Sequence, residues 1–215
     1  MSEQRLSTRL QTATRAKHSE AERSGIMPGL LRGALDRATY CLLLRNLHAL
    51  YESLEQALDR HAGTPAVAPV RLPALFRAPA LKGDLQYLHG SDWDALPLTA
   101  TMRGYRRRID DLRDQLPQLL AAHAYVRYLG DLSGGQILRP IVRRALGLVD
   151  GAGTAFYVFG HDSGVEALKN QLRAALDALP IDAAEGDAIV AEAIAAFALH
   201  ARLFEELEAA RAGSA

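Results

Sequence analysis

An all-α fold in one domain is what this sequence predicts, on three observations. Apolar residues recur at spacings of three and four through most of its length, the mark of helices with one buried face. The 215 residues are 49% hydrophobic and 23% charged, a soluble globular balance with enough apolar material for one sizeable core. No repeat, low-complexity tract or linker divides the chain. The expected domain spans residues 1–209, with 210–215 a frayed C-terminal tail.

A first helix is expected from just after Ser2 to about Arg23, where the turn residues of "SGIMPG" end it. Tyr40, Leu43, Leu44, Leu47, Leu50, Tyr51, Leu54 and Leu58 outline one face of a long second helix. Residues 63–98 hold Pro65, Pro69, Pro73, Pro79 and Pro97, which predicts short helical pieces separated by turns. Met102, Tyr105, Ile109, Leu112 and Leu116 mark a further helix. Pro117, suited to a helix start, opens the next, which should run through "QLLAAHAYVRYLGDLSGGQILRPIVRRAL". The run "AFYVF" at 155–159 has the aromatic and branched residues of a short strand but no obvious pairing partner. Val165, Leu168, Leu172, Leu176 and Leu179 give another helix. Ile189, Ala193, Phe197, His200, Phe204 and Leu207 give a long last one, with Asp182 and Glu185 placed as a capping box.

Bulk properties narrow the function. The formal net charge is zero, which argues against a dedicated nucleic-acid binder. Arg106–Arg108 and Arg143–Arg144 are local basic clusters, read as solvated helix faces or as docking surfaces. The single cysteine, Cys41, excludes an internal disulfide and a thiolate metal cluster, and its apolar neighbours make it a small buried hydrophobe. The N-terminus is polar from the start, and no run approaches the roughly 20 apolar residues of a membrane span. A cytoplasmic protein without a membrane anchor is the expectation.

The segment "YLGDLSGGQILRP" sets Gly130, Gly134 and Gly135 within a helical pattern. Each glycine costs about 1 kcal/mol relative to alanine, so something must offset roughly 3 kcal/mol. At 100° per residue, positions 130, 131, 134 and 135 share one side, which presents bare backbone and one carboxylate, Asp131. Three readings are open. The string LSGGQ resembles the signature of ATP-binding cassette proteins, but none of the 17 glycines lies in a GxxxxGK[ST] phosphate loop. Close helix–helix packing explains small residues but not an aspartate among them. A flat, wide ligand lying on bare backbone explains both, and chemistry at the centre of such a ligand suggests haem.

A haem needs an axial ligand from the other side. The histidines are His18, His48, His61, His89, His123, His161 and His200. His18 sits on the shoulder of the first helix's apolar face, with Glu22 at i+4 where a carboxylate can orient an imidazole.

From "TRAKHSEAE" through "AHAYVRYLGDLSGGQ" to "LFEEL", nearly the whole chain resembles the haem oxygenases. The resemblance implies His18 as the proximal iron ligand with Glu22 beside it, and Gly130, Gly134 and Gly135 on a kinked distal helix over the haem. It implies Asp131 as the carboxylate that anchors water next to bound oxygen, with Tyr51 and Arg127 in the same network. Arg15, Tyr125, Lys169 and Arg173 match contacts to the haem propionates, and Ser133 and Phe204 match further haem-contacting positions. Two departures stand out. Gln11 occupies a place where many members carry a basic residue, and Val126 replaces a common threonine.

The same resemblance implies a fold in which the first helix and a bent glycine-rich helix sandwich haem b. Haem would be cofactor and substrate, cleaved with O2 at a meso carbon, mainly α, to biliverdin, ferrous iron and carbon monoxide. The stretch 125–138 has no His, Cys or Met to occupy the iron's open position, which suits oxygen activation over electron carriage. No flavin or nicotinamide fingerprint is present, so a ferredoxin or flavoprotein reductase is the implied electron donor. Arg15, Lys17, Arg143 and Arg144 are candidates for steering it. A haem carrier or sensor of the same fold is the competing class, and Asp131 argues against it, since a carrier needs no carboxylate there.

Overall fold

Helix follows helix in the computed structural model, which describes residues 4–149, 151–160 and 162–213. The α-helices are α1 (Leu6–Ala21), α2 (Met27–Leu31), α3 (Arg37–Arg60), α4 (Ala78–Leu88), α5 (Ala100–Gln115), α6 (Leu120–Ala124), α7 (Gly130–Ala145), α8 (Asp162–Asp177) and α9 (Ala183–Ala212). The expected helix start at Ser2, His161 and the last two residues of the expected tail lie outside the described residues.

Local chemistry places the boundaries. Asp36 caps α3 by accepting from the Thr39 amide at 2.8 Å, and Thr99 caps α5 through Met102 N–H at 3.1 Å. The capping box at α9 forms as expected, with Asp182 and Glu185 each accepting the other's amide. The proline-bearing segment holds two single 3₁₀ turns, Ala68–Val70 and Pro73–Leu75, before α4 begins. Each turn has a proline among its first two residues, where the missing N–H is not needed.

Two expectations require correction. The helix from Pro117 is not uniform: a 3₁₀ turn at Pro117–Leu119 leads into α6, one π-helical turn spans Tyr125–Leu129, and α7 follows. "AFYVF" is not a strand. Ala155–Tyr157 is a 3₁₀ turn, and no strand is present among the described residues. Without a partner strand, its amides find Asp84 on α4, whose two carboxylate oxygens each accept one, from Ala155 and Phe156, at 2.8 Å.

One apolar core takes residues from every α-helix, with Tyr40, Leu44, Leu50, Tyr51, Tyr105 and Tyr128 fully buried and Cys41 buried among them. α1 lies along α9, α3 packs on α4 and α5, and α6 and α5 pack on α9. The turn after α1 explains how closely α1 and α9 are held. Gly25 has φ +47°, and any Cβ there would collide with the Phe204 carbonyl, which accepts from Ile26 N–H at 3.2 Å.

Candidate active site

α1 supplies one wall of a cleft. Its imidazole, His18, is half exposed and stands edge-on to Phe197 of α9, with ring centroids 5.6 Å apart. Glu22 Oε2 lies 3.6 Å from His18 Nδ1, at the i+4 position. Nδ1 therefore faces a carboxylate and Nε2 is the ring nitrogen left free to bind a ligand.

The π turn and the start of α7 form the opposite wall. A Cβ added at Gly130 or Gly134 would meet nothing within 4 Å, whereas one added at Gly135 would press on Tyr157 Cδ1 at 3.1 Å. The glycines thus divide by cause. Gly135 is small because a tyrosine ring packs on it, and Gly130 and Gly134 face open space. Close packing of protein on protein does not account for those two.

Asp131 sits between them, buried, on the same side. Its Oδ1 accepts from Arg127 Nη2 at 2.9 Å, and its Oδ2 accepts from the Tyr51 hydroxyl, which in turn accepts from Arg127 Nε at 3.0 Å. The Arg127 guanidinium also lies over the Tyr51 ring, 5.3 Å from its centroid. Burial pushes the Asp131 carboxyl well above the usual carboxylate range, and desolvation holds Arg127 down to about 10. Both carboxylate oxygens accept from donors, which holds the group in place.

Two connected cavities lie between the walls, sharing His18, Val126, Gly130 and Phe197. The inner one, about 140 Å³, is lined mainly by apolar side chains together with Glu22, Arg127, Asp131, Gly134 and Phe204. The outer one, about 580 Å³, mixes polar and apolar surface, and Gln11, Arg15, Tyr125, Ser133 and Arg173 face it. Tyr125 is held there by its hydroxyl, 3.2 Å from Thr14 Oγ1. Of the sequence-predicted residues, Tyr51 and Lys169 line neither cavity: Tyr51 is tied to the site through Asp131, and the Lys169 Nζ lies 3.4 Å from Glu166. Glu166 also comes within 3.7 Å of Arg173 Nη1, so this carboxylate competes for both cations.

Several site-shaping residues were not legible as such. Tyr157 and Phe156 reach the inner cavity through the Asp84-held turn, a contact between distant segments with no local pattern. A buried relay behind the cleft joins Tyr105 Oη to His123 Nδ1 at 2.9 Å, His123 Nε2 to Glu192 Oε1 at 3.1 Å, and Glu192 to Arg108. His200 lines the inner cavity, and its spacing from Phe197 and Phe204 on one helical face was the available signal.

Comparison with known proteins gives a consistent answer. The family model described as "Heme oxygenase" matches residues 4–206. "Heme oxygenase 1" of Nostoc sp. is 40% identical over 204 residues, covering 94% of this chain and 86% of that protein. Heme oxygenase-1 of Synechocystis sp., solved in complex with heme, superposes with a TM-score of 0.92 at 38% identity, covering 98% of this chain and 96% of that one. Heme oxygenase-2 of the same organism, solved with heme and NO, gives 0.94 at 36% identity, covering 98% and 88%.

Proposed function

This chain belongs to the haem oxygenase family, and from that premise we propose which of its residues hold haem b and govern its oxidation. It is a haem-degrading oxidoreductase in which haem is both cofactor and substrate, cleaved with O2 and external electrons to biliverdin, ferrous iron and carbon monoxide.

The residues fit that substrate. A flat macrocycle with an apolar body and two acidic arms needs a slot that is bare on one face, imidazole-bearing on the other and cationic at its mouth. Open space above Gly130 and Gly134, facing His18 across the cleft, is the observation that carries the assignment. Haem supplies the redox-active iron that binds O2; the protein directs where that chemistry goes.

His18 is the iron ligand, held by Glu22 from its Nδ1 side. Gly130 and Gly134 would set backbone, not side chains, against the haem, which would restrict the room left beside it. Asp131, Tyr51 and Arg127 anchor water beside it. Each Asp131 oxygen accepts one donor from the protein and keeps a lone pair for water, so protons would arrive through that water and not directly from a strong acid. Arg15, Tyr125 and Arg173 orient the propionates in the outer cavity, with Lys169 a looser member held toward Glu166, and Ser133 and Phe204 complete the lining. That clamp sets the rotation of the ring and hence oxidation mainly at the α-meso carbon.

No helix among the described residues is long and apolar enough to cross a membrane. Operation in the cytoplasm, with electrons from a ferredoxin or flavoprotein reductase, completes the proposal. The exposed Arg15 and Arg144 support docking of such a donor. The test is uptake of hemin by the purified protein, followed by O2 and a generic reductase and chromatography of the bilin. One-to-one binding and a predominant α isomer are expected. Failure to bind hemin would remove the site assignment, and another isomer would remove the clamp.

A further inference from the structure

Both ring nitrogens of His200 are buried and without a well-aligned hydrogen-bond partner, the Ala196 carbonyl one turn earlier coming near the ring without closing a good bond. The ring is held between Tyr105, 5.5 Å away by centroids, and Phe204, 6.2 Å away. An imidazole carries one donor and one acceptor, and leaving both unmet in an apolar interior is costly enough that a partner is expected. The ring lines the inner cavity, whose 140 Å³ has room for ordered water, and Arg127 and Asp131 line the same space.

We propose that His200 is a positioning residue of the haem-oxidising site, binding ordered water in the inner cavity and joining it to the Arg127–Asp131 pair. The inference rests on the assignment of this cleft as the haem site. Burial, and then the neighbouring Arg127 and His123, hold the His200 ring well below its ordinary pKa, while the Ala196 carbonyl one turn earlier acts the other way. The ring is therefore neutral. It can orient water as donor and acceptor at once but cannot act as a strong acid, which suits a network whose protons must arrive through water.

Three proteins test this: the wild type, His200→Phe, which keeps an aromatic ring without nitrogens, and His200→Asn, which keeps a donor and an acceptor. In the wild-type apoprotein, nitrogen-15 spectra of the ring, identified by its loss in His200→Asn, should show a hydrogen-bonded acceptor nitrogen and a cross-peak to water. An unbonded acceptor with no water contact overturns the proposal. In the ferrous carbonyl complexes, His200→Phe should displace the C–O stretching band by several wavenumbers, and His200→Asn should bring it back toward the wild type. One common band position in all three overturns it as well. Hemin titration separates the two levels: if the wild type takes up no hemin the cleft assignment falls, and the apoprotein spectra still decide whether His200 holds water.

Discussion

The Tyr51 hydroxyl on α3 donates to Oδ2 of Asp131 on α7, tying together residues eighty positions apart at the floor of the cleft. Arg127 donates to both partners, so the three side chains form a closed ring of hydrogen bonds. Rings of this kind stand or fall together, because removing one member strands the other two in a buried setting.

Replacing Asp131 by Ala should therefore do two separable things. It leaves the Arg127 charge buried without its carboxylate, at a cost of about 3 kcal/mol in the unfolding free energy. It also removes the water anchor, so biliverdin formation should fall on the order of 10²-fold while hemin uptake stays nearly intact. Denaturant titration and product chromatography measure the two, and wild-type rates of biliverdin would show that the anchor lies elsewhere.

His18→Ala should behave in the opposite way. The side chain is half exposed, so the apoprotein's stability should change by less than about 0.5 kcal/mol. Biliverdin formation should be lost, and added imidazole, which can enter the vacated space, should restore part of it. Full activity without imidazole would exclude His18 as the iron ligand.

The glycines offer a sharper contrast. Gly134→Ala should stabilise the apoprotein by up to about 1 kcal/mol, since the methyl group meets nothing and alanine favours helix. The same methyl group intrudes on the haem face, and overpacking of about 1–3 kcal/mol would weaken hemin binding roughly 5- to 150-fold. Gly135→Ala should instead lower apoprotein stability, because its methyl group must displace Tyr157. Thermal melts of the apoproteins and hemin titrations check both.

Glu192 gives a pH dependence. Burial alone would raise its pKa, but hydrogen bonds from His123 and Arg108 outweigh that and hold it at about 2, against an ordinary 4.5. A carboxylate lowered in the folded state stabilises it fully above pH 4.5, and that contribution is lost as pH falls toward 2. Since Arg108 is partly exposed, the effect is discounted to about 2 kcal/mol. Glu192→Gln should unfold more easily at neutral pH and show a flatter loss of stability between pH 4.5 and 2. Parallel acid-denaturation curves for the two proteins would refute the assignment.

The extent to which sequence foretold structure depends on how local each signal is. The helices were legible because burial of one face repeats every three or four residues. His18 with Glu22, and Asp131 among its glycines, were legible because each pairing lies within one or two helical turns. Tyr51 joined the site only through the family resemblance, since nothing near Leu50 or Leu54 distinguishes it from a core tyrosine. The turn at Ala155–Tyr157 misled because aromatic and branched residues suit strands, and its true partner, Asp84, lies some seventy residues earlier. Lys169 matched a propionate contact by position, yet Glu166, one turn before it, draws its charge aside. His200 stood in plain view as one more residue on an apolar face. A periodic pattern marks burial; it does not mark an unmet nitrogen.

The π turn at Tyr125–Leu129 governs how the distal wall is aimed. A π turn accommodates one residue more than the α-helix would, so it behaves as a spacer that sets the phase of everything downstream. Winding the same five residues as ordinary α-helix, with none removed, would swing Gly130, Asp131 and Gly134 by about 100° around the helix axis and turn them from the cleft. Removing one residue together with the π turn would instead return them close to their present facing. The extra residue and the wider turn therefore compensate each other, and an enzyme engineer who altered one without the other would be turning a dial, not shortening a loop.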